Sequence, residues 1–305
     1  FQILCKDAGK RFQHILGLFR SVGNIRLRRC DDAHLVFERE GDGSPCGKVK
    51  LIRENADVIF YPDMSYNIDE KQGDDHFNCP VVAYYPQVVR WNIPDIKNVK
   101  FICDFLSLAK PKVFERRIKE ILGKYFPEKD FTTKQISLAT KAAYAEYAEY
   151  LESVRAEGER YIKKAKETGK PVILLAGRPY HVDPEINHGI HELICRLGAI
   201  VLSEDSIRPG KEKLVTGVRN QWTYHSRMYN AAKFVANAPE NLDIHVVQLV
   251  SFGCGVDAVT TDEVRSIVEK SGRLYAQVKI DEISNTGAVT IRLRSIMSVI
   301  ELRKK

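Results

Sequence analysis

No Cys-x-x-Cys pair occurs among the seven cysteines, so neither a zinc ribbon nor a local ferredoxin pattern can be written along this chain. No apolar run exceeds strand length, and no charged start followed by an apolar core opens the sequence, which removes a membrane span and a secretory signal from the reading. Gly-x4-Gly-Lys-Ser/Thr, Gly-x-Gly-x-x-Gly, Gly-x-Ser-x-Gly and His-Glu-x-x-His are all missing, so ATP hydrolysis by a P-loop is out. There is no helix-turn-helix, RNP or zinc-finger pattern, and nucleic acid is not an expected partner. Neither a repeat at fixed period nor a low-complexity tract is present. The cysteines are odd in number and scattered, which argues for reduced thiols in a cytoplasmic protein rather than a disulfide framework.

What is present is an ordinary globular composition. The 305 residues are 44% hydrophobic and 29% charged, and 47 Lys and Arg against 40 Asp and Glu give a formal charge of +7. That length predicts about two domains with proper cores. The modest basic excess suits a polyanionic small ligand or an acidic partner, although part of it lies in solvated helix faces and in the tail Arg303-Lys304-Lys305.

Three cysteines have loop-like settings. Cys254 sits in Ser251-Phe252-Gly253-Cys254-Gly255, after the apolar run Ile244 to Val250. A strand that stops at Gly-Cys-Gly presents a thiol on bare backbone at its carboxyl end, where open α/β sheets place ligands. Cys79 precedes Pro80, and Cys46 lies between Pro45 and Gly47. Three such thiols, far apart in sequence, are candidates for a shared metal or iron–sulfur site. The plainer alternative is that a free cysteine acts as a small hydrophobe, which suits Cys195 in a helical pattern and Cys103 in a strand better than it suits Cys254.

The pattern along the chain predicts an N-terminal α/β lobe over 1–130, a linking helix over 131–168 and a Rossmann-like lobe over 169–305. Strand-like segments are Ala56 to Tyr61, Pro80 to Tyr85 and Val99 to Cys103, with Ser65 to Asn78 as a surface loop. Thr132 to about Thr168 is rich in Ala, Glu, Tyr and Lys with almost no breakers, and reads as one long helix. Beyond it four strands alternate with helices: Pro171 to Ala176, Ala199 to Leu202, Ile244 to Val250 and Leu274 to Ile280. The helices are expected from about Asn187, from Arg219 to Ala236, from Thr261 to Lys270 capped by Thr260 or Thr261, and from Thr286 onward. This alternation predicts parallel sheets in two Rossmann-like lobes joined by the long helix.

Polar residues gather after the strands of the second half. Gly177 permits close backbone approach and Arg178 has the fork to hold a phosphate or carboxylate; a turn bearing a salt bridge is the alternative. Tyr180, His181, Asn187 and His188 crowd the same segment, and Asn187, His188 and Gly189 open a helix whose free N–H groups suit an anion or simply a plain cap. His225, within Trp222 to Tyr229, is either a packing residue or a ligand-facing one.

Taken together, Leu175 to His181, Asp183 to Gly189, Tyr224 to Arg227, Ser251 to Asp262, Lys279 to Glu282 and Arg292 to Ser295 resemble the acyl-CoA dehydratase activase-related family, allied to 2-hydroxyglutaryl-CoA dehydratase and its activator. Asp75 to Pro80 matches as well, while residues 1–45 diverge from the family's usual opening. The resemblance implies an iron–sulfur protein of anaerobic metabolism in which Cys46, Cys79 and Cys254 hold a 4Fe–4S cluster. It implies low-potential electron transfer within a 2-hydroxyacyl-CoA dehydratase system, alongside an ATP-dependent activase domain or subunit of actin-like fold. Arg178, Tyr180, His181, Asn187, His188 and His225 would then line the crevice as ligand or supporting residues. The rival expectations are a dehydratase-like subunit that binds an acyl-CoA at the open iron, and a cluster-free interaction domain.

Overall fold

The structure, a computed structural model, describes residues 58–183, 186–210, 214–251, 255–280 and 287–303. Cys46, Cys254 and the divergent 1–45 segment lie outside these residues. The described chain divides into two compact units, one made of residues 58–69 and 76–148, the other of 70–75 and 149–303.

The first unit is built on a parallel strand pair. β1 (Val58–Phe60) pairs with β3 (Lys100–Ile102), and β2 (Asp63–Tyr66) pairs with β4 (Phe105–Ser107). The partners Phe60 with Ile102 and Asp63 with Phe105 keep one register across both pairs, so a single ladder is interrupted rather than two ladders formed. The interruption falls at Pro62, which has no N–H to give. Between the strands runs α1 (Pro80–Asn92), and α2 (Pro111–Tyr125) follows β4. Phe114, Ile118, Ile121 and Leu122 of α2, spaced for one helix face, are buried against Ile102, Leu106, Phe126, Phe131 and Ile136.

Two expectations fail here. Pro80 to Tyr85 is the start of α1 and not a strand. Pro80 at the first helical position has no N–H to satisfy, and Ala83, Pro86 and Val89 are the buried positions, a three-residue spacing that only a helix turns to one side. Val81 and Val82, whose β-branching favoured the strand reading, are largely exposed. The segment from Ser65 to Asn78 is also no plain surface loop. Ser65 and Tyr66 belong to β2, and Asn67, Gln72 and Asn78 are buried and hydrogen-bonded, Asn78 Nδ2 donating to the Met64 carbonyl at 2.8 Å.

α3 (Thr133–Thr168) is the long helix the sequence predicts. Its entry is a capping box: the Gln135 N–H donates to Thr132 Oγ1 at 3.3 Å, and Gln135 Oε1 accepts the Thr132 N–H at 3.1 Å. Residues 133–148 of α3 belong to the first unit and 149–168 to the second.

The second unit holds a four-stranded parallel sheet in the order β6-β5-β7-β8, with β5 Val172–Ala176, β6 Ile200–Ser203, β7 Ile244–Ser251 and β8 Tyr275–Ile280. All five residues of β5 are buried, as expected of a strand covered on both faces. On one face Met228, Ala232 and Val235 of α5 (Thr223–Ala236) and Val264 and Val268 of α6 (Gly255–Glu269) pack on Val172, Leu174, Ile244 and Val246. On the other, Ile190 and Ile194 of α4 (Ile190–Arg196) and Leu293, Met297 and Ile300 of α7 (Gly287–Arg303) pack on Ile173, Leu175, Val247 and Leu249. The polar residues inside β7 are satisfied: the Leu274 N–H donates to His245 Nδ1 at 3.0 Å, His245 Nε2 lies 2.9 Å from Asp243, and the Tyr275 hydroxyl reaches Gln248 at 3.0 Å.

Three helix starts in this unit differ from expectation. α6 begins at Gly255, well before Thr260 and Thr261, whose hydroxyls instead donate back to the carbonyls of Val256 and Asp257, each at 2.8 Å. α4 begins at Ile190, because His188 and Gly189 both have positive φ. α5 starts at Thr223 rather than Arg219. Among the described residues no helix is long and apolar enough to cross a membrane.

Candidate functional site

The chain order of the sheet makes β5 and β7 neighbours whose following helices leave in opposite directions. β5 runs into α4 on one face, and β7 runs into α6 on the other. The gap between their carboxyl ends is therefore the switch point at which open α/β sheets take ligands. Buried polar groups collect there.

Arg178, two residues past β5, reaches across the gap to Asp257 in the first turn of α6. Its Nη2 and Nε donate to Asp257 Oδ1 at 2.7 and 3.1 Å, and both side chains are about one-tenth exposed. The other oxygen, Asp257 Oδ2, is buried with no hydrogen-bond partner among the described residues. The reading of Arg178 as a salt-bridged turn residue is thus realised, but in a buried crevice and not at the surface.

His181 closes the turn from behind. Its Nδ1 accepts the Arg178 N–H at 3.0 Å, which puts its own proton on Nε2. Gly177 makes this possible, since a Cβ there would lie 2.4 Å from His181 Nδ1. Burial, with the Arg178 charge second, pushes the His181 pKa down to about 3. His225, on the first turn of α5, is 3% exposed, and neither ring nitrogen has a hydrogen-bond partner among the described residues. The same two causes in the same order bring its pKa to about 3. Both imidazoles are neutral at pH 7.

Glu204 and Asp205 end β6 in a short 3-10 turn. Glu204 is buried, and its Oε2 accepts the Gly177 N–H at 3.3 Å. Burial, then the neighbouring Asp205 carboxylate, raises its pKa to about 8, so it holds a proton at neutral pH. Arg227 of α5 pairs with Glu70, Nε to Oε2 3.0 Å, and so ties residues 70–75 to this unit. The Asp74 N–H donates to the Asn220 carbonyl at 2.6 Å, and the Asn220 N–H donates to Asp74 Oδ2 at 2.9 Å.

Of the residues singled out from sequence, Arg178, His181 and His225 come together. Asn187 is fully buried but spent on structure, donating to the His181 carbonyl at 3.1 Å and lying 2.9 Å from His191 Nδ1. His188 is exposed, and Tyr180 is half-buried with its ring edge-on to His181 at 4.4 Å. Cys79 caps the amino end of α1 in the other unit, half-buried and in no disulfide. Cys254 falls between the end of β7 and the start of α6, and neither it nor Cys46 is among the described residues. Sequence reasoning missed Glu204 and the partner role of Asp257. Their signal was present as an acidic pair at a strand's carboxyl end and an acid three residues past the Gly-Cys turn, but acids in those places also serve as ordinary helix starts.

These features define a doubly wound parallel α/β protein with a polar crevice at its switch point. The chain belongs to the family described as the CoA enzyme activase uncharacterised domain (DUF2229), whose model matches residues 46–207. That match spans Cys46, Cys79, Arg178 and Glu204 and stops before α5. No curated protein matches the chain. Among solved structures, the C-terminal domain of glucosamine-fructose-6-phosphate aminotransferase from Francisella tularensis is similar over 83% of this chain and 74% of that one, at 10% identity and a TM-score of 0.23.

Proposed function

We propose that this chain is the iron–sulfur component of a CoA enzyme activase system, passing low-potential electrons toward a 2-hydroxyacyl-CoA dehydratase-type partner. The observation that supports this best is the place of Cys254 in the chain order. β7 borders the switch point and ends at Ser251, and α6 begins at Gly255 with Asp257 already paired to Arg178. In chain order Cys254 thus falls in the connection between the two elements that flank the crevice. Cys79 fits the same role from its side, at the amino end of a 13-residue helix, where N–H groups without helical partners favour anionic ligands.

In this reading Cys46, Cys79 and Cys254 hold a 4Fe–4S cluster, and α3 is the helix that joins two lobes. Such a cluster supplies one-electron chemistry, and three protein thiolates leave one iron open. The surrounding residues set the conditions. Arg178 brings a positive charge already half-neutralised by Asp257, the neutral His225 offers ring nitrogens without adding charge, the neutral His181 holds the Arg178 turn through its Nδ1, and Glu204 keeps a proton beside the Gly177 turn. An ATP-dependent activase of actin-like fold, fused or separate, would supply the electron.

Anaerobic reconstitution with iron and sulfide tests the reading. Wild type is expected to take up about four irons per chain with a broad visible band, and Cys79→Ser and Cys254→Ser are expected to lose most of both. A colourless, iron-free wild type would overturn it and put the cluster-free interaction domain ahead.

A further inference from the structure

At the far edge of the sheet from β6, a cavity of about 520 Å³ is lined by Arg265 and Glu269 of α6, Tyr275, Ala276, Gln277 and Lys279 of β8, and Arg292 of α7. β8 has β7 on one side and no described strand on the other. The Val246 N–H bonds to the Leu274 carbonyl, so the alternation of a parallel strand turns the backbone N–H and C=O of Leu274, Ala276 and Val278 toward β7 and those of Tyr275 and Gln277 outward. Two of the helices that cover the sheet, α6 on one face and α7 on the other, flank this outward row. Its lining carries three cations, Arg265, Lys279 and Arg292, against Glu269, with Asp262 also pairing with Arg265 at 3.3 Å, so a positive excess remains. Arg265 lies over the Tyr275 ring at 5.3 Å and donates to Gln277 at 3.4 Å, which aims its charge along the strand.

We propose that this groove receives an extended acidic polypeptide segment, which adds to β8 as a fifth strand. Main-chain bonds to the outward groups of Tyr275 and Gln277 would supply affinity, and carboxylates beside Arg265 and Arg292 would supply selectivity. The charge balance argues against a second copy of this chain in the same place, because two β8 edges paired across a two-fold axis would set these cations against each other. An open, polar slot along a strand is also unlike the enclosed, largely apolar pockets that hold small ligands.

The test is titration of the full chain with two capped heptapeptides, one alternating threonine and glutamate, the other threonine and lysine. The acidic peptide is expected to bind saturably, to weaken with added salt, and to lose about tenfold in affinity in Arg265→Ala with Arg292→Ala. Gln277→Pro removes an outward N–H at a position where an edge strand tolerates proline. It is expected to abolish binding while leaving the melting temperature and circular dichroism near wild type. Equal binding of the two peptides, or none of either, overturns the proposal. So does acidic-peptide binding that survives Gln277→Pro, which would make the site a simple anion patch, or a wild-type dimer that Gln277→Pro dissolves.

Discussion

At the scale of single residues the crevice is held by unequal bargains. Arg178 and Asp257 are a buried ion pair, and removing Arg178 leaves the Asp257 carboxylate buried without its cation. Arg178→Ala is therefore expected to cost about 3–5 kcal/mol. Arg178→Met combined with Asp257→Leu, which removes both charges and keeps the volume, should recover most of that loss in urea melts. Costs that simply add in the double variant would show that the pair is not coupled. His225 is the opposite case. Its two ring nitrogens are buried without partners among the described residues, an arrangement that costs about 1–3 kcal/mol for a polar group left unsatisfied. Sequence could name His225 and Arg178 but not their partners, because partnering depends on what the fold carries past each side chain.

At the scale of elements, close approach decides more than intrinsic preference. Gly158 lies inside α3, where alanine would ordinarily gain about 1 kcal/mol of helix stability. A Cβ at that position would lie 2.2 Å from the backbone oxygen of Ser206, in the turn that carries Glu204 and Asp205. Backbone cannot swing aside as a side-chain tip can, so overpacking wins, and Gly158→Ala is expected to be destabilising by roughly 1–3 kcal/mol in a denaturant melt. A more stable variant would show that the turn is free to retreat. The same contest explains the misread α1. Val81 and Val82 carry strand preference, yet Pro80 at the first helical position and the buried spacing of Ala83, Pro86 and Val89 carry the helix. Strand preference describes how a side chain packs on a half-buried pleat, and these valines face outward instead. In the second unit β5 was the clearest strand because burial on both faces forces a continuous apolar run, whereas β8 shows the alternation of a half-buried strand.

At the scale of the whole molecule, the buried titrating groups set how stability follows pH. The folded His181 and His225 have pKa values near 3 against an unfolded value of 6.5, so below pH 6.5 the unfolded chain takes protons that the folded one refuses, and stability falls with acid. Folded Glu204 has a pKa near 8 against 4.5 unfolded, so between those values the unfolded chain gives up a proton that the folded one keeps, and stability falls as pH rises. Two histidines outweigh one glutamate below pH 6.5, and the glutamate acts alone above it. The contribution of these three groups to the unfolding free energy is expected to peak near pH 6.5, about 1–2 kcal/mol lower at pH 5 and about 1–2 kcal/mol lower at pH 8, and His191 and His245, which burial also pushes down, deepen the loss on the acid side. A profile rising steadily to pH 8 in urea melts would contradict the buried, protonated state of Glu204. The sequence by itself determined the alternation of strands and helices in the second unit, the long α3 and the Gly-Arg turn after β5. Those follow from local periodicity and from covering a sheet on both faces, both of which are written residue by residue. Only the tertiary structure decided that Arg178 meets Asp257, that Glu204 backs the Gly177 turn, that Asn187 is spent on packing and that β8 is the last strand of the sheet among the described residues, with a basic lining beside it. Each of these joins residues distant along the chain, and strand order, which brings them together, leaves no mark on neighbouring residues.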